Sequence, residues 1–335
     1  MPKSWPRNIP IFVSSVKWVA YLIGRVVMAP DTRHFCRRRI FAIIIVHMEM
    51  PEEIAGGFRE RLRDAHKRSV GTVTVVGGSH GFPHAPVIAG LGARAAGAGL
   101  VRLVVPDESR PAAGALLPEA TVSDLGGDIP LSDVTVVGPG LGLGEEASAL
   151  VRELLCGEGR LVVDADALTH LATICRFGSR DGEATIVLTP HEGEAARLLG
   201  VAAADVSSGR RSAAKEIARR YRATVVLKGP GTLVVSPDGE RVYENSTGNP
   251  FMALGGMGDL LSGVVAARWA YLGGDAFLPA AAAAWIHGAA GDALVADGGD
   301  MSIVNMAARV GSMRILFDRM RSLFASPPAS DGLPR

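Results

Sequence analysis

The chain has 335 residues, 48% of them hydrophobic and 41 of them glycine, which provides for a large core and excludes a disordered polymer. Lys and Arg number 35 against 34 Asp and Glu, a formal net charge of +1, so neither nucleic acid nor an acidic membrane is expected as the main partner, and any anion must be bound locally. The three cysteines, Cys36, Cys156 and Cys175, are odd in number and scattered, which fits a reducing cytoplasm without disulfides or a cysteine zinc site.

Residues 1–49 stand apart from the rest of the chain. An apolar stretch at 11–29 precedes Arg33, Arg37, Arg38 and Arg39, in the manner of an export or membrane signal. Lys17 and Arg25 interrupt it, a charge near the centre of a membrane helix is costly, and Ala29-Pro30 makes a poor cleavage site. The segment is read as an extension upstream of the fold, with an interaction or anchoring segment and ordinary fold as alternatives. No membrane contact is expected unless that extension is real. The globular domain is expected over 50–325, with a flexible tail at 326–335.

From Gly71 onward, short β-branched runs alternate with alanine-rich stretches, the pattern of a doubly wound α/β domain with a mostly parallel sheet. Strands are expected at 72–76, 101–105, 134–137, 161–163, 185–188 and 224–227, then a meander of 232–235 and 241–244 around Pro237-Asp238-Gly239. Helices are expected at 85–98, 145–155, 167–173, 192–199, 208–221, 258–271, 279–296 and 303–323. No internal repeat and no Pro/Ser linker divides 51–325, so a single domain is expected.

The unusual segments follow strands: Gly77-Gly78-Ser79-His80-Gly81, Gly138-Pro139-Gly140-Leu141-Gly142, Asp164-Ala165-Asp166, Thr189-Pro190-His191-Glu192-Gly193-Glu194 and Lys228-Gly229-Pro230-Gly231-Thr232. In open α/β sheets ligands bind at the carboxyl ends of the strands, so these five loops are expected on one edge. The run Gly255-Gly256-Met257-Gly258-Asp259 is expected there too. Its glycines let backbone N–H groups converge on an anion, and the helix starting near Gly256 aims its positive end at the same point. Asp259 would repel phosphate, yet it could take a proton from a hydroxyl about to attack one. The bland alternative is a helix terminus with a dipole-favourable Asp. Ser262-Gly263, one turn on, are read as keeping the helix thin beside a ligand.

The other segments leave their alternatives open. Lys228 beside glycines suits a diphosphate or adenine-ribose neighbourhood, or is a solvated turn lysine. His191 is either a capping or core histidine, or points into the crevice, where its neutral ring could both donate and accept. Asp164 and Asp166 could hold Mg²⁺, or form a structural turn with Asp166 as N-cap of a helix beginning at Ala167. The spaced glycines 138–144 match a dinucleotide fingerprint only weakly. Asn245-Ser246-Thr247 is a sequon by chance.

In order and in register, VTVVGGSHGFPHAP (73–86), RAAGAGLVRLVVP (94–106), VVGPGLG (136–142), VVDADAL (162–168), LTPHEGEAARLLG (188–200), VVLKGPGTLVVSPDG (225–239) and NSTGNPFMALGGMGDLLSGVVAA (245–267) resemble the ADP/ATP-dependent NAD(P)H-hydrate dehydratases of the ribokinase-like superfamily. The resemblance implies a three-layer α/β/α fold with a mostly parallel central sheet. It implies repair of hydrated NADH and NADPH: the ring hydroxyl at carbon 6 is phosphorylated by ADP or ATP, and phosphate is then eliminated. It makes Asp259 the base and Gly255, Gly256, Met257 and Gly258 the cradle of the transferring phosphoryl group. Lys228, Gly229, Pro230, Gly231, Thr232 and Gly258 match its adenine-nucleotide positions, and Ala85, Gly140 or Gly142, His191 and Asp259 those that contact the hydrate. Mg²⁺ is expected as counter-charge, with no ligand assigned. The sequence departs from the family at Met257 (commonly Thr or Gln), His84 and Arg68 (both commonly Gly). Residues 1–70 hold no epimerase domain, so action on one epimer beside a separate epimerase is expected, as is a homo-oligomer. A ribokinase-like kinase of a small alcohol and a non-catalytic nucleotide-binding protein are the alternatives.

Overall fold

A computed structural model of the chain describes residues 50–175 and 182–324. The expectations for 1–49 and 326–335 fall outside the described residues. Seven β-branched runs form parallel strands: β1 (Thr72–Val76), β2 (Leu100–Val105), β3 (Thr121–Asp124), β4 (Val134–Val137), β5 (Arg160–Val163), β6 (Thr185–Leu188) and β7 (Thr224–Leu227). Two further strands, β8 (Leu233–Val235) and β9 (Val242–Glu244), continue the sheet antiparallel. The order is β3-β2-β1-β4-β5-β6-β7-β8-β9. The chain winds outward from β1 in one direction and returns to β4 for the other, so the loops after β1 and β4 flank the switch point where such sheets bind ligands.

The helices are α1 (Ala85–Ala96), α2 (Arg110–Leu116), α3 (Glu145–Cys156), α4 (Asp166–Ile174), α5 (Glu192–Leu199), α6 (Ala203–Ser208), α7 (Arg210–Tyr221), α8 (Met257–Leu272), α9 (Phe277–Ala296) and α10 (Ile303–Phe324). The strands alternate with period two. One set of their side chains, including Val76, Val137, Val163, Leu188, Val225 and Leu227, packs against α3, α4, α5 and α7. The other face is covered by α8 and α9, on which α1 and α10 also pack, giving three layers. Helix α8 is apolar nearly all round, as its burial between sheet, α1 and α9 requires.

Four sequence expectations are corrected. Strand β3 (Thr-Val-Ser-Asp) carries a single apolar residue because, as an edge strand, it is only partly buried. The helix expected at 208–221 is two helices, with Gly209 between α6 and α7. Asp166 is the first residue of α4 and not its N-cap; Ala165 holds the cap position. Gly263 does not thin α8 for a ligand: a Cβ there would collide with the Ala89 carbonyl of α1, and one on Gly92 with the Leu260 carbonyl of α8. The two glycines let α1 and α8 cross in backbone contact. Asn245 of the sequon is buried, its Nδ2 donating to the carbonyls of Thr247 (3.1 Å) and Ala284 (3.3 Å).

Candidate active site

The approach to the glycine turn is fixed from α9. Asp292 accepts from Gly248 N–H (2.8 Å) and Asn249 Nδ2 (2.9 Å), and Asn249 Oδ1 in turn accepts from Phe251 N–H (3.1 Å). The chain then reverses through Gly256, whose φ of +87° caps α8. Met257 N–H donates to the Leu254 carbonyl (3.3 Å) and its side chain is buried. The N–H groups of Gly255, Gly256, Gly258 and Asp259 have no acceptor among the described residues. They stand at the positive end of a sixteen-residue helix, ready for an anion. Of the four cradle residues read from sequence, Met257 contributes neither a free N–H nor an exposed side chain, so its departure from the family pattern is turned into the core.

Asp259 lies half-buried in the first turn of α8. Burial pushes its carboxyl up to about 7, helped by the negative charges of Asp164, Glu194 and Asp166 and opposed by Lys228. Lys228 reaches across from the end of β7, its Nζ 2.8 Å from Asp164 Oδ1 and 3.7 Å from Glu194 Oε2. Burial pulls the ammonium down, but Asp164, Glu194 and Asp259 together hold it above its usual value, so it stays charged. Glu194 is raised chiefly by burial, with Lys228 opposing. A Cβ on Gly258 would sit 3.2 Å from Lys228 Nζ, a tight approach, so glycine there gives that ammonium more room beside the helix terminus.

The loop Lys228-Gly229-Pro230-Gly231-Thr232 is held from below by Arg210 at the start of α7. Its guanidinium donates to the carbonyls of Leu227 (3.3 Å), Lys228 (3.4 Å) and Gly231 (3.5 Å) and pairs with Glu192. Hydrogen bonds from Ser207 and Arg210 hold Glu192 below the usual carboxylate range. Gly229 (φ +135°) and Gly231 (φ +62°) take backbone shapes that other residues resist, and Thr232 Oγ1 closes the loop on the Gly229 carbonyl at 2.9 Å. The sequence offered no cue to Arg210.

On the other side of the edge, Ala85 opens α1, and a Cβ on Gly140 would lie 3.1 Å from its methyl, so those two expected positions are neighbours. Gly142 is clamped by α4: its N–H donates to Asp166 Oδ2 (2.8 Å), and His170 Nε2 lies 2.9 Å from its carbonyl. Between them Ala165 adopts φ +49°, a strained shape for alanine, while its N–H donates to Asp164 Oδ1 at 2.9 Å. His191 caps α5. Its Nδ1 accepts from Gly193 N–H (3.0 Å) and Glu194 N–H (3.3 Å), while Glu194 Oε2 accepts from His191 N–H (2.7 Å). Two amide donors on Nδ1 put the proton of the neutral ring on Nε2. Nδ1 is thus engaged as the capping alternative expects, and Nε2 lies 3.5 Å from Glu194 Oε1.

Among the described residues no group of three His, Cys, Asp or Glu side chains is arranged to hold a metal. Asp164 Oδ2, however, is buried without a partner among the described residues while Oδ1 is engaged. A Mg²⁺ held mainly by phosphate oxygens needs only one or two carboxylates, and Asp164 with Glu194 beside it fits that need.

The arrangement has known counterparts. Residues 73–308 match the Carb_kinase family, described as NAD(P)H-hydrate dehydratase. The chain belongs to the NAD(P)H-hydrate dehydratase family. It is 40% identical over 243 residues to the ADP-dependent (S)-NAD(P)H-hydrate dehydratase of Neisseria meningitidis, covering 71% of this chain and 81% of that one. It is also 40% identical over 284 residues to the bifunctional NAD(P)H-hydrate repair enzyme Nnr of Moorella thermoacetica, covering 78% of this chain and 50% of that enzyme. The chain thus spans about half the length of that bifunctional relative. Among solved structures, the ADP/ATP-dependent NAD(P)H-hydrate dehydratase of Bacillus subtilis, co-crystallised with ATP/Mg²⁺, superposes with a TM-score of 0.71 at 28% identity, over 79% of this chain and 96% of that one. A ribokinase-like superfamily protein of Enterococcus faecalis shares the fold, with a TM-score of 0.70 at 24% identity, over 80% of this chain and 95% of that one.

Proposed function

We propose that this protein is an ADP-dependent (S)-NAD(P)H-hydrate dehydratase, which uses ADP, or ATP in its place, with Mg²⁺ to restore NADH and NADPH from their hydrates. The observation that carries the reading is the half-buried Asp259 carboxylate, pushed by burial up to about 7, beside four N–H groups at a helix N-terminus that have no acceptor among the described residues. An acid poised near neutrality is suited to take the proton of the ring hydroxyl as its oxygen attacks the transferring phosphorus. The O–H bond breaks, an O–P bond forms as the P–O bond to the nucleotide breaks, and the nucleotide leaves with one phosphate fewer; the C6–O bond then breaks with its electron pair going to the departing phosphate, and a proton leaves the adjacent ring carbon so that the ring double bond is restored. The free N–H groups of Gly255, Gly256 and Gly258 are suited to the charge on the phosphoryl oxygens, with Lys228 as the nearby cation. The loop 228–232 is assigned to the nucleotide, and Ala85, Gly140, Gly142 and the His191 Nε2–H to the hydrate. Mg²⁺, when bound, supplies counter-charge to the phosphates, with Asp164 Oδ2 and Glu194 as the side chains that would hold it. A cytoplasmic homo-oligomer working beside a separate epimerase completes the proposal; among the described residues no helix is long and apolar enough to cross a membrane.

Incubating the protein with hydrated NADH, Mg²⁺ and either ADP or ATP, and following the reduced-nicotinamide absorbance, tests the reading. Recovery faster with ADP is expected. Asp259→Asn is expected to lower kcat by at least about 10³-fold while leaving ADP binding within threefold, since general-base catalysis and charge placement act on the chemical step. No recovery with either nucleotide, or near-normal turnover by Asp259→Asn, would sink it.

A further inference from the structure

The sheet edge opposite the glycine turn carries a cavity of about 520 Å³, lined among others by Arg61, His66, Lys67, Arg94, Glu119 and Arg314. It lies where α1 ends and β2 begins, so the whole length of α1 separates it from the residues assigned to the hydrate. Four permanent cations meet one carboxylate, and Glu119 is already committed to Arg94 at 3.6 Å.

The wall behind the cavity does not neutralise them. Asp318 is the carboxylate there, and it is shared. It accepts from both terminal nitrogens of Arg268 (2.9 and 3.1 Å), from Arg314 Nη1 (3.2 Å) and from the Arg59 N–H (3.1 Å). Arg61 donates to the Gly97 carbonyl and lies 6.0 Å from the Tyr271 ring, and among the described residues its Nε is buried without a partner. Arg61 and Arg314 crowd one point: a Cβ on Gly97 would lie 2.6 Å from Arg61 Nη2 and 3.0 Å from Arg314 Cζ. Burial, together with the charges of Arg61 and Arg268, draws Arg314 below the usual arginine value against the pull of Asp318. Like charges held this close repel, and an anion between them relieves the repulsion.

We propose that this cavity is a second anion site, separate from the glycine turn, which binds a phosphate-bearing small molecule through Arg61, Lys67, Arg94 and Arg314. Guanidinium forks match phosphate oxygens in pairs, which selects phosphate over a diffuse anion. The volume falls within the roughly 300–1,000 Å³ of small-molecule sites and exceeds what inorganic phosphate alone would fill, so a nucleotide or sugar phosphate is the class it suits.

Binding, and not turnover, tests the proposal, so its failure is separate from failure of the dehydratase reading. Equilibrium dialysis at low salt with labelled inorganic pyrophosphate compares the full chain with Lys67→Glu/Arg94→Glu. Both side chains are exposed. The double variant is expected to lose one class of bound pyrophosphate, its affinity falling tenfold or more, while the melting temperature and the dehydratase rate at saturating substrate change little. Should the double variant melt early, Lys67→Ala, whose ammonium makes no ion pair among the described residues, is expected to weaken the same class threefold or more. Isotherms identical to wild type in the folded variant overturn the proposal.

Discussion

The proposed role asks Asp259, half-buried beside three other carboxylates, to take up and give away a proton during the reaction, and Lys228 keeps those demands compatible by staying charged among them. The consequence for pH is direct. A base with a pKa of about 7 gives kcat/KM an ascending limb centred near pH 7, whereas a carboxylate at its ordinary value would give a flat profile above pH 5. The stability effect has the opposite sign. Because the folded value lies above the unfolded one, the folded state keeps a proton that the unfolded chain releases from about pH 4 upward, so this contribution is complete below pH 4 and lost as pH rises through 7. Asp259→Asn is therefore expected to raise the melting temperature at pH 8 and to leave it nearly unchanged at pH 4; a melting curve at each pH decides. His191 separates two roles in one side chain. His191→Asn keeps a cap acceptor but loses the Nε2–H proposed to meet the hydrate, so KM for the hydrate should rise with little change in melting. His191→Ala should also lose about 1 kcal/mol of cap stability, read as an earlier melt. Nothing in the sequence distinguished cap from ligand here, because Thr-Pro-His before two glutamates reads equally as either.

Between elements, the crossing of α1 and α8 carries the site. Asp259 sits one turn before Gly263, and Ala85 one turn before Ala89, so the contact that sets the helix spacing also sets the distance between the proposed base and the proposed hydrate side. Gly263→Val is expected to cost roughly 1–3 kcal/mol by overpacking and to lower kcat as well, since α8 cannot retreat without carrying Asp259 with it. Thermal melts and initial rates on the same sample test this; a variant that is destabilised but fully active would show the helix position to be uncoupled from the chemistry. Most of the helices and strands were legible because their hydrophobic periods run to the ends of the elements. Gly263 was misread because a glycine one turn from a ligand and a glycine at a backbone crossing leave the same trace in a sequence. Edge strand β3 was missed for a related reason: a strand partly exposed on both faces needs no apolar period.

Across the whole molecule, what the sequence hid is long-range pairing. The five loops and the glycine turn could be placed on one edge from strand order alone, yet Lys228 meets Asp164 across 64 residues, and Arg210 under the 228–232 loop belongs to a helix with no motif. The same holds for the device that closes the fold away from the site. Asp318 of α10 binds Arg268 of α8 and the Arg59 N–H, and Arg268 also donates to the Gly57 carbonyl, so one carboxylate joins the segment before β1, α8 and α10. Both Arg268 and Asp318 are buried, at 1% and 3% exposure, so removing the acid strands a guanidinium where water cannot replace it. Asp318→Ala is expected to cost about 3–5 kcal/mol, a fall of roughly 6–15 °C in melting temperature for a domain of this size. Replacing both partners, as Arg268→Met/Asp318→Leu, should recover part of that loss, because the buried Arg268 charge goes with its acid while Arg314 still loses its carboxylate. If Asp318→Ala melts with wild type, the cluster carries no stability and the packing of α8 on α10 must rest on its apolar contacts alone.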